Sequence, residues 1–245
     1  MNLRAIEPQG NSDGLRSQSL GLAIDTSSPI LTLALGSVEG VYRDQTWNLD
    51  REISAQLHPL LREFIAPQRW TDLAWILVLK GPGSFTGTRI GLVTARTLAQ
   101  QLKVPLFGVS NLAIAAWREA IKLEIRDRWT VAVSQPGRLG YTYGAVYEVC
   151  QQAGTLTALM PDQLVTLEAW NQTLAEVGRS IAGRSIPGRS IQMHLKLDTH
   201  TSNSLENPTA PDLQPSLGTT LLGFGWQQWQ QGFRPEWYEA LPYYG

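Results

Sequence analysis

The chain has 245 residues, with 20 Lys+Arg against 21 Asp+Glu and a formal net charge of -1. Hydrophobic residues at 43% and charged residues at 17% exclude a disordered, solvating chain. A pI near 6.3 argues against an autonomous grip on nucleic acid, because phosphate backbones are held mainly by clustered Lys and Arg. One cysteine, Cys150, excludes an internal disulfide, and three histidines (His58, His194, His200) make a thin supply of bases and metal ligands. No run approaches the ~18 to 20 apolar residues of a membrane span. Residues 1–19 lack the apolar core of a signal peptide and read as a flexible extension. The expectation is a soluble, cytoplasmic protein.

In chain order, Leu20 to Asp25 is an apolar strand ending in an acid, and Ile30 to Leu35 is a second strand after a Thr-Ser-Ser-Pro turn. Val38 to Trp47 reads as a third. Leu57, Leu60, Leu61, Phe64 and Ile65 recur at helical spacing across Ser54 to Ile65, where Ala66-Pro67 stops the helix. Leu73 to Leu79 is continuously apolar, as a strand covered on both faces should be. A glycine-rich loop follows, then a helix over Thr88 to Leu102, a short strand Leu106 to Val109, and a helix opening at Ser110 or Asn111. The second half starts over with strands at Trp129 to Ser134, Tyr141 to Val149 and Leu156 to Met160, then a helix over Gln163 to Val177. Three strands then a helix, twice, predicts a duplicated α/β unit of two lobes, 20–118 and 119–245.

Residues 178–191 read GRSIAGRSIPGRSI, three copies of a pentapeptide that cannot bury a core. Repeat expansion in a tolerant loop is the plainer reading beside a basic strip of Arg179, Arg184 and Arg189. The stretch 178–216 is expected to be a polar loop, with prolines at 208, 211 and 215. Leu217 to Gln231 reads as helical. Behind it Phe233, Trp237, Tyr238, Tyr243 and Tyr244 form an aromatic tail that should pack on the body or on a partner.

The sharpest local signal is KGPGSFTGTRI, Lys80 to Ile90, between a buried strand and a helix, where backbone N–H groups and the helix dipole favour anions. A P-loop would need a lysine after Gly87, and the dinucleotide fingerprint would need one residue fewer between Gly83 and Gly87. Two readings stay open: a tight strand-to-helix turn, or an anion site of Gly81, Gly83, Ser84, Thr86, Gly87 and Arg89. Asp25, at a strand's carboxyl end, either faces a ligand through a metal-bound water or caps its own turn. Gly87, Gly91, Ala95 and Ala99 fall at successive i, i+4 positions and make a small-residue stripe that admits a close neighbour, inside the chain or outside it. No three or four metal ligands converge, no G-x-S-x-G surrounds Ser84, and Cys150 reads as an inert buried thiol.

Three segments carry a resemblance: LAIDTSS (Leu22 to Ser28), GPGSFTGTRIG (Gly81 to Gly91) and PLFGVSNL (Pro105 to Leu112). In order and spacing they resemble the TsaB (YeaZ) family, the non-catalytic subunit of the bacterial machinery that makes N6-threonylcarbamoyladenosine at position 37 of tRNA. The resemblance is dense over about 20–116 and weaker beyond. It implies a two-lobed actin-like, sugar-kinase-like, Hsp70-like (ASKHA) fold of duplicated β-β-β-α-β-α units. It also implies cytoplasmic residence, pairing with the catalytic homologue TsaD, and TsaE and the product of TsaC as further partners. ATP and Mg would be used by those partners, with no cofactor tightly bound here, and tRNA would be met mainly through the complex. Relatives of the TsaD type hold a metal through two histidines four residues apart, a pair this chain lacks.

The resulting expectation is an accessory subunit with no catalytic residues and no metal site of its own. An autonomous ATPase or small-molecule kinase and an M22-type metallopeptidase are the alternatives. The partner surface is placed on Leu57, Leu61, Gly87, Ile90, Gly91, Thr94, Ala95 and Leu98, with a homodimer through the same face when TsaD is absent.

Overall fold

The computed structural model describes residues 20–37, 42–182, 193–196 and 216–243. The expected N-terminal extension, Arg184 and Arg189 of the pentapeptide repeat, Tyr244, and the polar loop apart from Ser216 and the helical residues up to 182 lie outside them, save the strand at 193–196. The first unit holds β1 (Leu20–Asp25), β2 (Ile30–Gly36), β3 (Tyr42–Asn48), α1 (Ile53–Ile65), β4 (Leu73–Leu79), α2 (Phe85–Leu102), β5 (Leu106–Val109) and α3 (Asn111–Lys122). The second holds β6 (Trp129–Pro136), β7 (Tyr141–Cys150), β8 (Thr155–Thr166), α4 (Leu167–Ala182), β9 (Met193–Lys196) and α5 (Leu217–Gln230).

Duplication is written in the strand order. The first sheet runs β3-β2-β1-β4-β5, and the second β8-β7-β6-β9. In each, the first three strands pair antiparallel as a meander, and the strand after the helix joins parallel to the first. This is the α/β two-lobed ASKHA arrangement. Among the described residues the second sheet has no counterpart of β5.

Strand β4 shows why its sequence is continuously apolar. Ile76 and Val78 face a core shared with α1 and α2, while Trp75, Leu77 and Leu79 face a second core shared with α3, α5 and the other sheet. Alternate side chains leave a strand on opposite faces, so both faces must be hydrophobic. Helix α3 packs on β6 and β7, and α5 returns across β1, β2 and β4. The 118/119 lobe boundary drawn from the sequence thus falls inside α3, and the first sheet is covered by a helix from the far end of the chain. Trp170 of α4 covers the outer face of the second sheet beside Ala132 and Val146.

Element boundaries move: α2 begins at Phe85 instead of Thr88, and α4 runs on to Ala182. Gln163 to Thr166, expected at the start of a helix, continue β8, because they pair with Gly144, Tyr143, Thr142 and Tyr141 of β7. The helix begins only at Leu167, where Thr166 Oγ1 accepts from the Ala169 amide at 3.1 Å. Strand β9 has no counterpart in the sequence reading. The aromatic tail does fold back: Tyr243 N donates to the Lys80 carbonyl at 3.0 Å, and its ring meets Tyr143 edge-on.

Candidate functional site: the glycine-rich loop and the α1–α2 face

The loop at 80–91 is closed by its own chain. Ser84 caps α2, its hydroxyl accepting from Gly87 N at 3.2 Å, and Ser84 N donates to the Ser27 carbonyl at 2.6 Å. Thr26, wholly buried, donates its hydroxyl to the Gly87 carbonyl at 2.8 Å. Asn111 ties the other side: its Nδ2 donates to Ser27 Oγ at 2.6 Å, its Oδ1 accepts from Gly81 N at 3.1 Å, and its own N donates to Gly81 O at 3.0 Å. Gly81 has φ +97°, a conformation that favours glycine. A Cβ on Gly83 would overlap the Ser27 carbonyl, one on Gly87 the Thr26 carbonyl, and one on Gly91 the Thr26 hydroxyl. Gly83, Gly87 and Gly91 thus make room for the β1–β2 turn.

Asp25 belongs to the same knot. It is buried, and one carboxylate oxygen accepts from Ser27 N at 2.8 Å and Ser27 Oγ at 2.6 Å. Burial pushes its pKa up, opposed by the two Ser27 hydrogen bonds. Of the two readings open for Asp25, the turn cap is the one these distances support. A buried carboxylate and amides already engaged leave the loop poorly suited to an anion. Arg89, grouped with that loop from the sequence, turns away and stacks its guanidinium over the exposed Phe85 ring at 4.0 Å.

The small-residue stripe also faces inward. Gly87, Gly91, Ala95 and Ala99 are buried, Ala95 at 0% exposure among Leu20, Leu22 and Leu92. Leu57 and Leu61 are core residues as well. Five of the eight residues placed on the partner surface therefore pack within the chain, because the stripe's close neighbour is the β1–β2 turn. An Ala95→Trp substitution would disrupt the core before it reached any partner.

What α1 and α2 present outward is a groove of about 480 Å³, lined by Ser54, His58, Arg89, Ile90, Val93, Thr94, Thr97 and Leu98. Ile90, Thr94 and Leu98 are the three residues of the sequence placement that reach it. Val93, 63% exposed, is among its apolar lining, and His58 Nε2 lies 3.3 Å from Thr94 Oγ1. The partner surface placed from the sequence leaves out His58, Val93 and Thr97. For Val93 and Thr97 the signal is a second i, i+4 series of α2, Phe85, Arg89, Val93 and Thr97, exposed throughout.

No group of three or more His, Cys, Asp or Glu able to hold a metal occurs among the described residues. His194 and His200 give no described side chain. No described helix is long and apolar enough to cross a membrane.

Comparison with known proteins supplies the family. The model of "TsaD: tRNA N6-adenosine threonylcarbamoyltransferase" matches residues 48–194. The Bacillus subtilis (strain 168) "tRNA threonylcarbamoyladenosine biosynthesis protein TsaB" is 34% identical over 168 residues, 65% of this chain and 68% of the relative. The chain belongs to the TsaB (YeaZ) family. A protein of the same name from Escherichia coli (strain K12) is 31% identical over 132 residues, 52% of this chain and 54% of that one. The solved Pseudomonas aeruginosa YeaZ has a TM-score of 0.63 at 24% identity, over 93% of this chain and 100% of that one. A second Pseudomonas aeruginosa structure, described as similar to peptidase YeaZ, gives 0.64 at 25% identity over 92% and 99%. The TsaB fold therefore extends over the second half, where motif resemblance was weak.

Proposed function

We propose that this TsaB-family chain serves N6-threonylcarbamoyladenosine biosynthesis as a non-catalytic subunit, pairing with TsaD through the outer face of α1 and α2. The observation that carries the reading is the internal engagement of three amides of the glycine-rich loop: Ser84 N, Gly81 N and Gly87 N all donate to groups of the chain itself. Those three amides are thereby withdrawn from any transferring phosphoryl group. The names carried by the relatives support the pathway, and the apolar groove around Val93 supports a protein neighbour. On this reading TsaE and the product of TsaC join through the assembly, whose partner subunits use ATP and Mg and which meets tRNA in the cytoplasm. A homodimer forms through the same groove when TsaD is absent, C₂ pairing being the commonest symmetry.

The test is reconstitution with TsaD of the same organism. Val93→Glu places a charge in the apolar groove, and an unpaired charge buried at an interface costs several kcal/mol, of the order of 2–5. The variant should remain folded by circular dichroism, lose co-elution with TsaD and lose modified tRNA in the reconstituted reaction. Unchanged co-elution would move the interface elsewhere. Robust ATP turnover by the isolated chain would favour the autonomous ATPase or kinase reading, and metal-dependent peptide cleavage the metallopeptidase reading.

A further inference from the structure

A cavity of about 500 Å³ lies between the two sheets, away from the α1–α2 groove. One wall is β5, the edge strand of the first sheet, with Phe107. The facing wall is β7 and β8, with Leu156 and the exposed Ala158, and Phe224 of α5 closes a side. The polar groups are Lys80, Ser110, Tyr147, Asp162, Gln228 and Tyr243, with the exposed Glu239. Lys80 and Ser110 follow the carboxyl ends of the adjacent parallel strands β4 and β5, the place where open α/β sheets present groups to ligands.

The hydrogen bonding of this polar group is unbalanced. Asp162 is satisfied, accepting from the Ser110 hydroxyl on one carboxylate oxygen and from the Tyr147 hydroxyl on the other. Lys80 is not: no described residue accepts from its ammonium or forms an ion pair with it. The lining therefore includes one cationic side chain without a described partner, together with the apolar Phe107, Leu156 and Phe224. Asp162 and Glu239, the two carboxyl side chains of the lining, disfavour a second negative charge on the ligand. Cavities of this size, mostly apolar with a few convergent polar groups, are the usual form of small-molecule sites.

We propose that this cavity binds a small organic monoanion with an apolar body, its anionic head on Lys80 and its body along Phe107, Leu156 and Phe224. The site stands apart from pairing with TsaD, and its test uses the isolated full chain.

The probes are 1-anilinonaphthalene-8-sulfonate, an apolar monoanion, and N-phenyl-1-naphthylamine, its uncharged counterpart, both followed by fluorescence. Each should bind saturably at one site. In the unmodified protein, amide NMR shifts on adding the anionic probe should centre on β5, the start of α3 and β8. Lys80→Gln should weaken the anionic probe tenfold or more and leave the neutral one within twofold. Ala158→Trp, a bulky change at an exposed position on the wall, should weaken both. Shifts centred on Val93 instead, or binding untouched by Ala158→Trp in a folded variant, would overturn the site. Equal effects of Lys80→Gln on both probes would overturn the assignment of an anion.

Discussion

The hydroxyl of Thr26 donates to the carbonyl oxygen of Gly87 at 2.8 Å, fastening the β1–β2 turn to the first turn of α2 across 61 residues of chain. The same side chain fills the space that Gly91 leaves open, where a Cβ would overlap its hydroxyl oxygen and lie 3.2 Å from its Cβ. Hydrogen bonding and steric fit thus act on one residue pair of elements, and neither element can shift without breaking both.

Gly91→Ala should therefore destabilise the fold by about 1–3 kcal/mol, the ordinary cost of overpacking a dense interior. Gly223 supplies the control, being helical in α5 with nothing within 4 Å of an added Cβ. Gly223→Ala should stabilise by about 0.5–1 kcal/mol through helix propensity. Urea unfolding midpoints of the two variants should move in opposite directions.

Trp75 tests the other core. Its indole lies where a Cβ on either Gly21 of β1 or Gly225 of α5 would fall, so the two glycines form the slot that holds it. Gly21→Ala should cost about 1–3 kcal/mol, and more than Gly21→Ala in a Trp75→Leu background. Thermal unfolding of the four proteins of that double-mutant cycle reads the coupling directly.

Asp25 gives a pH dependence with a definite sign. Its folded pKa is raised above the ordinary carboxylate value of 3.8, first by burial. Between the unfolded and folded pKa values the native state binds more protons than the unfolded state, so stability falls as pH rises through that window. Asp25→Asn keeps an acceptor for Ser27 and removes the titration. Its stability relative to the parent should therefore increase as pH is raised from below 4, as measured by urea denaturation at a series of pH values.

The Tyr147–Asp162–Ser110 chain links β7, β8 and the cap of α3, and burial pushes the Tyr147 phenol well above its usual pKa. Tyr147→Phe leaves one side of a carboxylate without its donor and should cost about 1–3 kcal/mol. Calorimetry beside the parent reads that loss, and Asp162→Leu, which strips both the Ser110 and Tyr147 hydroxyls of their acceptor, should cost at least as much.

Much of the fold is legible where local pattern and tertiary demand agree. Leu73 to Leu79 and Leu106 to Val109 coincide with β4 and β5 because strands buried on both faces must be apolar throughout. Ser110 announces α3 by capping it, accepting from Leu112 N at 3.0 Å. Gln163 to Thr166 were misassigned because only their ladder with β7 makes them a strand, and β9 escaped because its four residues are defined by a parallel partner some sixty residues away. The inward face of α2 was misjudged for a similar reason. Small residues announce a close approach, but whether the β1–β2 turn or another molecule makes it depends on where the chain folds. Likewise, nothing local in Lys80, Tyr147 and Asp162 indicates that they line one cavity.

Helix α5 lies against β1, β2 and β4, so the face of the first sheet bearing Ala23, Ala34, Trp75 and Leu77 is covered by residues 217–230. During synthesis, the first five strands leave the ribosome long before their cover exists. Until α5 emerges, that sheet can hold only one finished side, leaving an adhesive surface for chaperones or for neighbouring nascent chains. A fragment ending after α3 should inherit the same fault permanently, and the two lobes, separate as they look, should melt as one.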